Sequence, residues 1–327
     1  MGDLWVIGEP GPGGGLARLS TEVATLARVL GAANGREVLG IVVAADPASA
    51  AEELAGYVPR VLSITEPAAS DRAWSAVAAA RLAGLFEGAG PSQPDAIFLG
   101  AGPDGRDVAG ALSALTGLGV LTNATGVSWT DEGPAVEMSA FGGKLLTTSG
   151  FTAGRGIVTV RPNVVTAEAA ASPGVVEVLE PAGPLLAEVR VVEQVGEASS
   201  AVPIEEARII VAGGRGLGGP DGFALVEQLA DVLDGAVGAT RAAVDSGWIG
   251  YSQQIGQTGK IVKPELYLAL GISGAIQHKV GMQGAATIVG VNRDPDAPIA
   301  EFADLLVVGD LFDVGNALLE QLRGRAG

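Results

Sequence analysis

The residues able to do chemistry gather in the last third of the chain, and each group directly follows an apolar run of strand type. Residues 208–212 lead into Gly213-Gly214-Arg215-Gly216-Leu217-Gly218-Gly219, and residues 236–240 into Arg241. Residues 266–270 lead into Gly271-Ile272-Ser273-Gly274-Ala275-Ile276-Gln277-His278, residues 287–291 into Asn292-Arg293-Asp294, and residues 305–308 toward Asp310. An open parallel sheet takes its ligands outside the carboxyl ends of its strands. Five glycine-rich or polar strand ends from one sheet therefore converge on one crevice, which argues more strongly than any single motif.

Gly214, Gly216 and Gly219 fit a G-x-G-x-x-G spacing between a strand and a helix. Pro220 suits the first helical turn, where its missing N–H costs nothing, and Val226, Leu229, Ala230 and Leu233 supply a buried helical face. Free N–H groups at such a helix start hold phosphate. In a chain with 50 glycines the same spacing also reads as a tight turn, and the fingerprint alone does not choose. The acidic residue usual at the second strand's end is replaced by Arg241, followed by Asp245. Arg241 there meets the extra phosphate of NADP, serves another anion, or forms a plain surface ion pair. Gly256-Gln257-Thr258-Gly259-Lys260 has glycines and donors but lacks the G-x-x-x-x-G-K-[ST] spacing, which disfavours a P-loop NTPase. His278 is the only histidine. A lone histidine is more often structural than functional, but its place in a strand-end turn argues for function. Asn292 and Asp310 each suit a helix N-cap or a ribose hydroxyl.

Placing these groups takes repeated βα units. Residues 4–7 form an apolar run, followed by a helix with Leu16, Leu19, Val23, Leu26 and Leu30 on one face. Further runs at 38–43, 60–64 and 96–99 each have a helical segment nearby. After about Thr122 the pattern turns to short strands at 135–138, 144–148 and 157–160. The fold class is α/β, with two α/β domains: residues 1–195 with a β-rich tail, a small polar linker at 196–204, and residues 205–327 as a parallel, Rossmann-like sheet.

Composition narrows the function. The formal net charge is −17, from 37 acidic and 20 basic residues, so nucleic acid and anionic lipid are poor partners. The chain has no cysteine, which excludes disulfides, thiolate metal sites, cysteine nucleophiles and dithiol redox chemistry. With one histidine, a His-rich metal centre is excluded too, so redox chemistry requires a bound organic cofactor. Met1-Gly2-Asp3-Leu4-Trp5-Val6-Ile7 lacks a basic, signal-like start, and no apolar stretch approaches the ~18 residues of a membrane span. The expectation is a cytoplasmic protein without membrane insertion.

Five runs in this order and spacing carry a resemblance: Gly213-Gly214-Arg215-Gly216, Thr240-Arg241-Ala242-Ala243-Val244-Asp245, Gly256-Gln257-Thr258-Gly259-Lys260, Ser273-Gly274-Ala275-Ile276-Gln277-His278, and Asn292-x-Asp294-Pro295-x-Ala297-Pro298-Ile299. Over about residues 205–327 the chain resembles the FAD domain of electron-transfer flavoprotein alpha subunits. Residues 1–195 resemble that family's first domain more loosely, through Gly105-Arg106-Asp107 and Arg161-Pro162. For that half the resemblance implies a nucleotide-hydrolase-like fold with no ligand. It implies a heterodimer with a beta subunit, one FAD per dimer, and AMP in the beta subunit of many members. It further implies an electron carrier and not an enzyme, serving fatty acid beta-oxidation between acyl-CoA dehydrogenases and a quinone oxidoreductase. In the FAD domain Arg215 and Thr240, where the family more often has Ser, would meet the phosphates or the flavin edge. Gln254, Ile255, Gly256, Gln257 and Thr258 would run beside the isoalloxazine, with Thr258 near N5. Ser273, Gly274, Ala275, Ile276, Gln277 and His278 would wrap the pyrophosphate, ribityl chain and pyrimidine side. Asn292, Asp310 and Leu311 would hold the adenosine end.

On this reading Arg241, always charged and weakly hydrated, stabilises the negative charge that reduction puts over N1 and the C2 carbonyl. His278 near the same carbonyl adds a donor, and full charge when protonated. Two other classes compete: an NADP-dependent oxidoreductase using the glycine loop and Arg241, and a non-catalytic adenine-nucleotide sensor.

Overall fold

The computed structural model describes residues 2–11, 14–140, 145–181, 184–185, 189–193, 204 and 207–325. The chain divides into two compact units, residues 1–196 and 197–327. Lys144 and linker residues 196–203 lie outside the described residues.

Unit 1 is a nine-stranded sheet in the order β7-β6-β5-β8-β4-β1-β2-β3-β9. Its parallel part comprises β1 (Leu4–Gly8), β2 (Val38–Ala44), β3 (Arg60–Thr65), β4 (Ala96–Gly100), β8 (Gly156–Val160) and β9 (Val175–Leu179). The five buried residues of β1, Leu-Trp-Val-Ile-Gly, mark a strand covered on both faces. Its side chains alternate between two cores. Leu4 and Val6 meet α1 (Arg18–Asn34) and α2 (Ala48–Ala55), while Trp5 and Ile7 meet α3 (Trp74–Gly88) and α4 (Pro103–Thr116). Helix α4 opens with Pro103 and stops at Gly117, whose φ of 74° is the left-handed stop that glycine adopts without penalty. Strand β5 (Val120–Thr130) runs parallel to β8 and antiparallel to β6 (Gly133–Ala140), and β7 (Leu145–Ser149) adds a second antiparallel pair at β6.

Unit 2 is a six-stranded, wholly parallel sheet in the order β12-β11-β10-β13-β14-β15. The strands are β10 (Ile209–Gly213), β11 (Ala236–Thr240), β12 (Gln254–Ile255), β13 (Leu266–Leu270), β14 (Thr287–Asn292) and β15 (Leu305–Val308). Val211, Leu268 and Leu270 face a core shared with α5 (Phe223–Val232) and α8 (Leu311–Arg325). Ile210, Ala212, Tyr267 and Ala269 face the other core, with Met282 of α7 (Ile276–Met282). A short helix, α6 (Arg241–Asp245), follows β11 directly. Because β10 pairs with β11 on one side and β13 on the other, the chain switches direction of winding there. The crevice of such a sheet opens beyond the carboxyl ends of β10 and β13.

Candidate functional site

A cleft of about 980 Å³ lies along that edge, lined entirely from unit 2. It is at the upper end of the roughly 300–1,000 Å³ usual for small-molecule and cofactor sites. The glycines at its floor are required by packing. A Cβ on Gly214 would sit 2.5 Å from the Gly271 carbonyl oxygen, and one on Gly216 would sit 2.6 Å from the Gly271 Cα. The loops after β10 and β13 thus touch backbone to backbone, and the Gly214 and Gly216 N–H groups donate to Leu270 and Gly271 carbonyls at 3.0 Å. These donors are spent within the protein. Gly218, Gly219 and the start of α5 lie outside the cleft lining, so the glycine fingerprint shapes the floor without supplying a phosphate grip at α5.

That grip is available at α7 instead. Ser273, Gly274, Ala275 and Gln277 line the cleft where α7 begins, and the first N–H groups of a helix have no partner within it. Gly274, with a φ of 82°, lets this segment pass within 2.5 Å of the Ile299 nitrogen, measured from an added Cβ. Ile276 begins the helix 45% exposed and is not part of the lining.

Three cations stand at the walls. Arg215 is exposed, and its side chain makes no hydrogen bond or ion pair among the described residues. Arg241 donates from Nε to Asp245 at 3.1 Å, a surface i,i+4 pair with both side chains over 60% exposed. Its terminal nitrogens are left over. Arg293, which sequence reasoning left out of the site, lines the mouth 3.7 Å from Asp310; its position one residue past β14 was the available signal. Beside Arg241, the Thr240 Oγ1 is buried and bonded to nothing among the described residues.

The opposite wall is the turn after β12, where Ile255, Gly256, Gln257 and Thr258 line the cleft. Gln254 stands behind it, donating from Nε2 to the Thr258 hydroxyl oxygen at 3.2 Å and to its carbonyl at 3.0 Å. The hydroxyl accepts there, so its own proton is free to be donated. Asn292 lines the cleft and donates to the Ile272 carbonyl at 3.0 Å. Asp310 is outside the lining and caps α8, accepting from Phe312 N at 2.8 Å. Leu311, the next residue, does line it.

His278 also lines the cleft, but in a different state from the one the sequence suggested. Its Nδ1 lies 3.0 Å from the Ile255 carbonyl oxygen and its Nε2 2.8 Å from the Tyr267 hydroxyl. Burial pushes the imidazole down to about 4, against the Ile255 bond, which favours the charged form. A ring this deep stays neutral at physiological pH, and both nitrogens are committed to the protein.

Comparison with known proteins gives two family matches. Residues 4–184 match the electron transfer flavoprotein domain, and residues 203–283 match the electron transfer flavoprotein FAD-binding domain. The chain is 40% identical over 317 residues to the electron transfer flavoprotein subunit alpha of Mycobacterium leprae, covering 96% of each. It is 36% identical over 327 residues to the corresponding subunit of Thermoanaerobacterium thermosaccharolyticum, covering 98% of each. Protein FixB of Clostridium saccharobutylicum is 40% identical over 238 residues, 71% of each chain.

Proposed function

The chain belongs to the electron transfer flavoprotein alpha-subunit family, and from that membership we propose that it pairs with a beta subunit and holds FAD in the unit 2 cleft. The observation that carries the proposal is the meeting, on one sheet edge, of a dinucleotide-sized cleft, the start of α7 lining it, unspent guanidinium nitrogens and a buried Thr240 hydroxyl without a partner among the described residues. A hydroxyl so placed costs about 1–3 kcal/mol unless something bonds to it, and a flavin nucleotide offers acceptors for all of these donors. The residues present fit the group.

When bound, FAD supplies a ring system that accepts electrons singly and passes them on. The protein binds and tunes. Ser273 to Gln277 take the pyrophosphate and ribityl chain on the α7 donors, and Arg215 neutralises phosphate charge. Asn292 and Leu311 bracket the adenosine end, while Asp310 positions Leu311 by capping α8. Gln254 sets the Thr258 hydroxyl proton toward the ring's N5 side, and Thr240 gives a second hydroxyl. Arg241 meets the electron-rich rim of the ring with its terminal nitrogens. Its relatives are electron transfer flavoprotein subunits, and on that ground the protein serves as a carrier and not an enzyme. It takes electrons from soluble dehydrogenases such as acyl-CoA dehydrogenases and delivers them to a quinone oxidoreductase. No helix among the described residues is long and apolar enough to cross a membrane, and we assign the carrier to the cytoplasm.

The test is the visible spectrum of the purified alpha–beta complex: flavin absorbance equivalent to one FAD per dimer in this chain. A colourless complex that takes up no added FAD contradicts the proposal, and release of NADP on denaturation would favour the dehydrogenase reading.

Arg241→Ala should lower the first one-electron potential of the bound flavin. A charge-assisted contact is worth about 1.5–3 kcal/mol when dry, but this side chain is 65% exposed and shared with Asp245. Screening reduces the effect to roughly 0.5–1.5 kcal/mol, or about 20–60 mV for one electron. Spectroelectrochemical titration reads it directly, and unchanged potentials would remove Arg241 from the tuning role.

A further inference from the structure

Tyr267, the second residue of β13, is the largest fully buried side chain among the described residues. Nothing in the sequence distinguishes it from an apolar core filler. Among the described residues its hydroxyl has one partner, the Nε2 of His278, at 2.8 Å, and the two rings lie at 56° with centroids 6.0 Å apart.

The proton arrangement follows from which atoms can donate. The Ile255 carbonyl can only accept, so the His278 Nδ1 beside it carries the hydrogen. A neutral imidazole has a single N–H, so Nε2 presents its lone pair and the Tyr267 hydroxyl donates to it. The result is a directed chain, Tyr267 O–H to Nε2, then Nδ1–H to the Ile255 oxygen. Tyr267 is buried enough that its hydroxyl pKa is raised well above the ordinary value, so the donor keeps its proton. The neighbouring cation on α7, Lys279, sits over the Phe302 ring at 4.6 Å, Arg241 is paired with Asp245, and Lys260 closes the turn after β12, its backbone bonded to Gln254 and Gly256.

What the chain anchors is the cleft wall. Strand β12 is an edge strand of two residues, paired to β11 only through Ala239↔Gln254 and Thr240↔Ile255. Beyond Ile255 the backbone turns at Gly256 (φ 143°) and returns with Lys260 N donating to the Gln254 carbonyl at 2.7 Å. Gln257 N donates to the Gln277 carbonyl at 2.7 Å. A two-residue edge strand is weakly held by itself, whereas β13 lies between β10 and β14.

We infer that Tyr267 is a positioning residue: its hydroxyl fixes the tautomer of His278, and His278 in that tautomer holds the Ile255 carbonyl and with it the turn that carries Gly256, Gln257 and Thr258 into the cleft. The inference deepens the flavin reading, since that turn faces the ring, but its central evidence needs no flavin.

The chain has one histidine, so labelling this subunit alone with 15N-histidine in the intact complex gives a single pair of ring-nitrogen signals. In the wild type the long-range proton–nitrogen spectrum should show Nδ1 protonated and Nε2 unprotonated and hydrogen-bonded, with no titration between about pH 6 and pH 8, since burial lowers the ring to about 4. Tyr267→Phe keeps the ring volume and removes the donor. Donation to the lone pair of the neutral form disfavours protonation, so the variant should lose the Nε2 hydrogen-bond signature and titrate at higher pH. Its flavin potential should gain a pH dependence absent from the wild type, and FAD should bind about tenfold more weakly, the loss of one buried hydrogen bond. An Nε2–H tautomer in the wild type, a wild-type titration near neutral pH, or a Tyr267→Phe spectrum identical to wild type would overturn the inference. If Tyr267→Phe does not fold, the wild-type tautomer and titration decide alone. A correct tautomer in a complex that refuses FAD would uphold the clamp and defeat the flavin reading.

Discussion

Gly271→Ala should strip most of the FAD from the complex and destabilise the second unit by on the order of 4 kcal/mol, the sum of left-handed strain and overpacking. Gly271 has a φ of 63°, and a Cβ there would lie 2.7 Å from the Gly216 Cα and 2.8 Å from the Leu311 Cδ2. Both neighbours line the cleft, and one of them is backbone, which cannot swing aside as a side-chain end can. The loops after β10 and β13 must then part, taking Arg215 and Ser273 out of register with each other. Gly218→Ala is the control. It has a φ of 78° and nothing within 4 Å of an added Cβ, so it pays about 1–2 kcal/mol of backbone strain without the collision. Flavin content and denaturant midpoints of the two variants separate the terms. Equal behaviour would mean that contact between the loops does not shape the site.

The second large effect lies in unit 1 and concerns pH. Glu9 follows β1 with its side chain 9% exposed and Oε1 bonded to nothing among the described residues. Its carboxyl lies against the glycines around the start of α4, where a Cβ on Gly105 would come within 2.5 Å of Oε1. Burial, with repulsion from Asp104 added and a Gly100 backbone hydrogen bond opposing, pushes it from 4.5 up to about 7. Between those values the folded chain binds more proton than the unfolded one, so stability is full below about 4.5 and is lost as pH rises through about 7. The loss at pH 8 is on the order of 3 kcal/mol. Glu9→Gln should remove this slope, leaving unit 1 more resistant to denaturant than wild type at pH 8 and nearly equal at pH 5. Tryptophan fluorescence follows it, since Trp5, Trp74 and Trp129 belong to unit 1. A wild-type stability that is flat from pH 5 to 8 would show that Glu9 ionises without cost.

The strands that carry the cleft were legible because they are buried on both faces and read as unbroken apolar runs: β10, β13 and β14 lie within a residue of their predicted bounds. The α/β class and the parallel second sheet followed from that alternation. Strand β5 was not legible. Its eleven residues, Val-Leu-Thr-Asn-Ala-Thr-Gly-Val-Ser-Trp-Thr, are interrupted by a register shift between Leu121 and Ala124, with Asn123 at a φ of 58°. The period of two is lost at that point. Strand β9 escaped for another reason: it is an edge strand with Val175 and Val178 exposed, held by its ladder with β3 instead of burial. In the cleft, residue type and strand-end position pointed to the walls. They did not reveal that Gln254 and Asp310 lie outside the lining, or that both His278 nitrogens are bonded within the protein. Those facts depend on partners brought close by folding, Thr258 and Tyr267 above all.

A crystal structure of the FAD-loaded alpha–beta complex measures most directly where the flavin ring lies. The ring should rest between the Ile255–Thr258 turn and the Arg241 guanidinium, with the pyrophosphate on the residues that open α7. A flavin seated elsewhere in the complex, or a nicotinamide dinucleotide in this cleft, would contradict this placement.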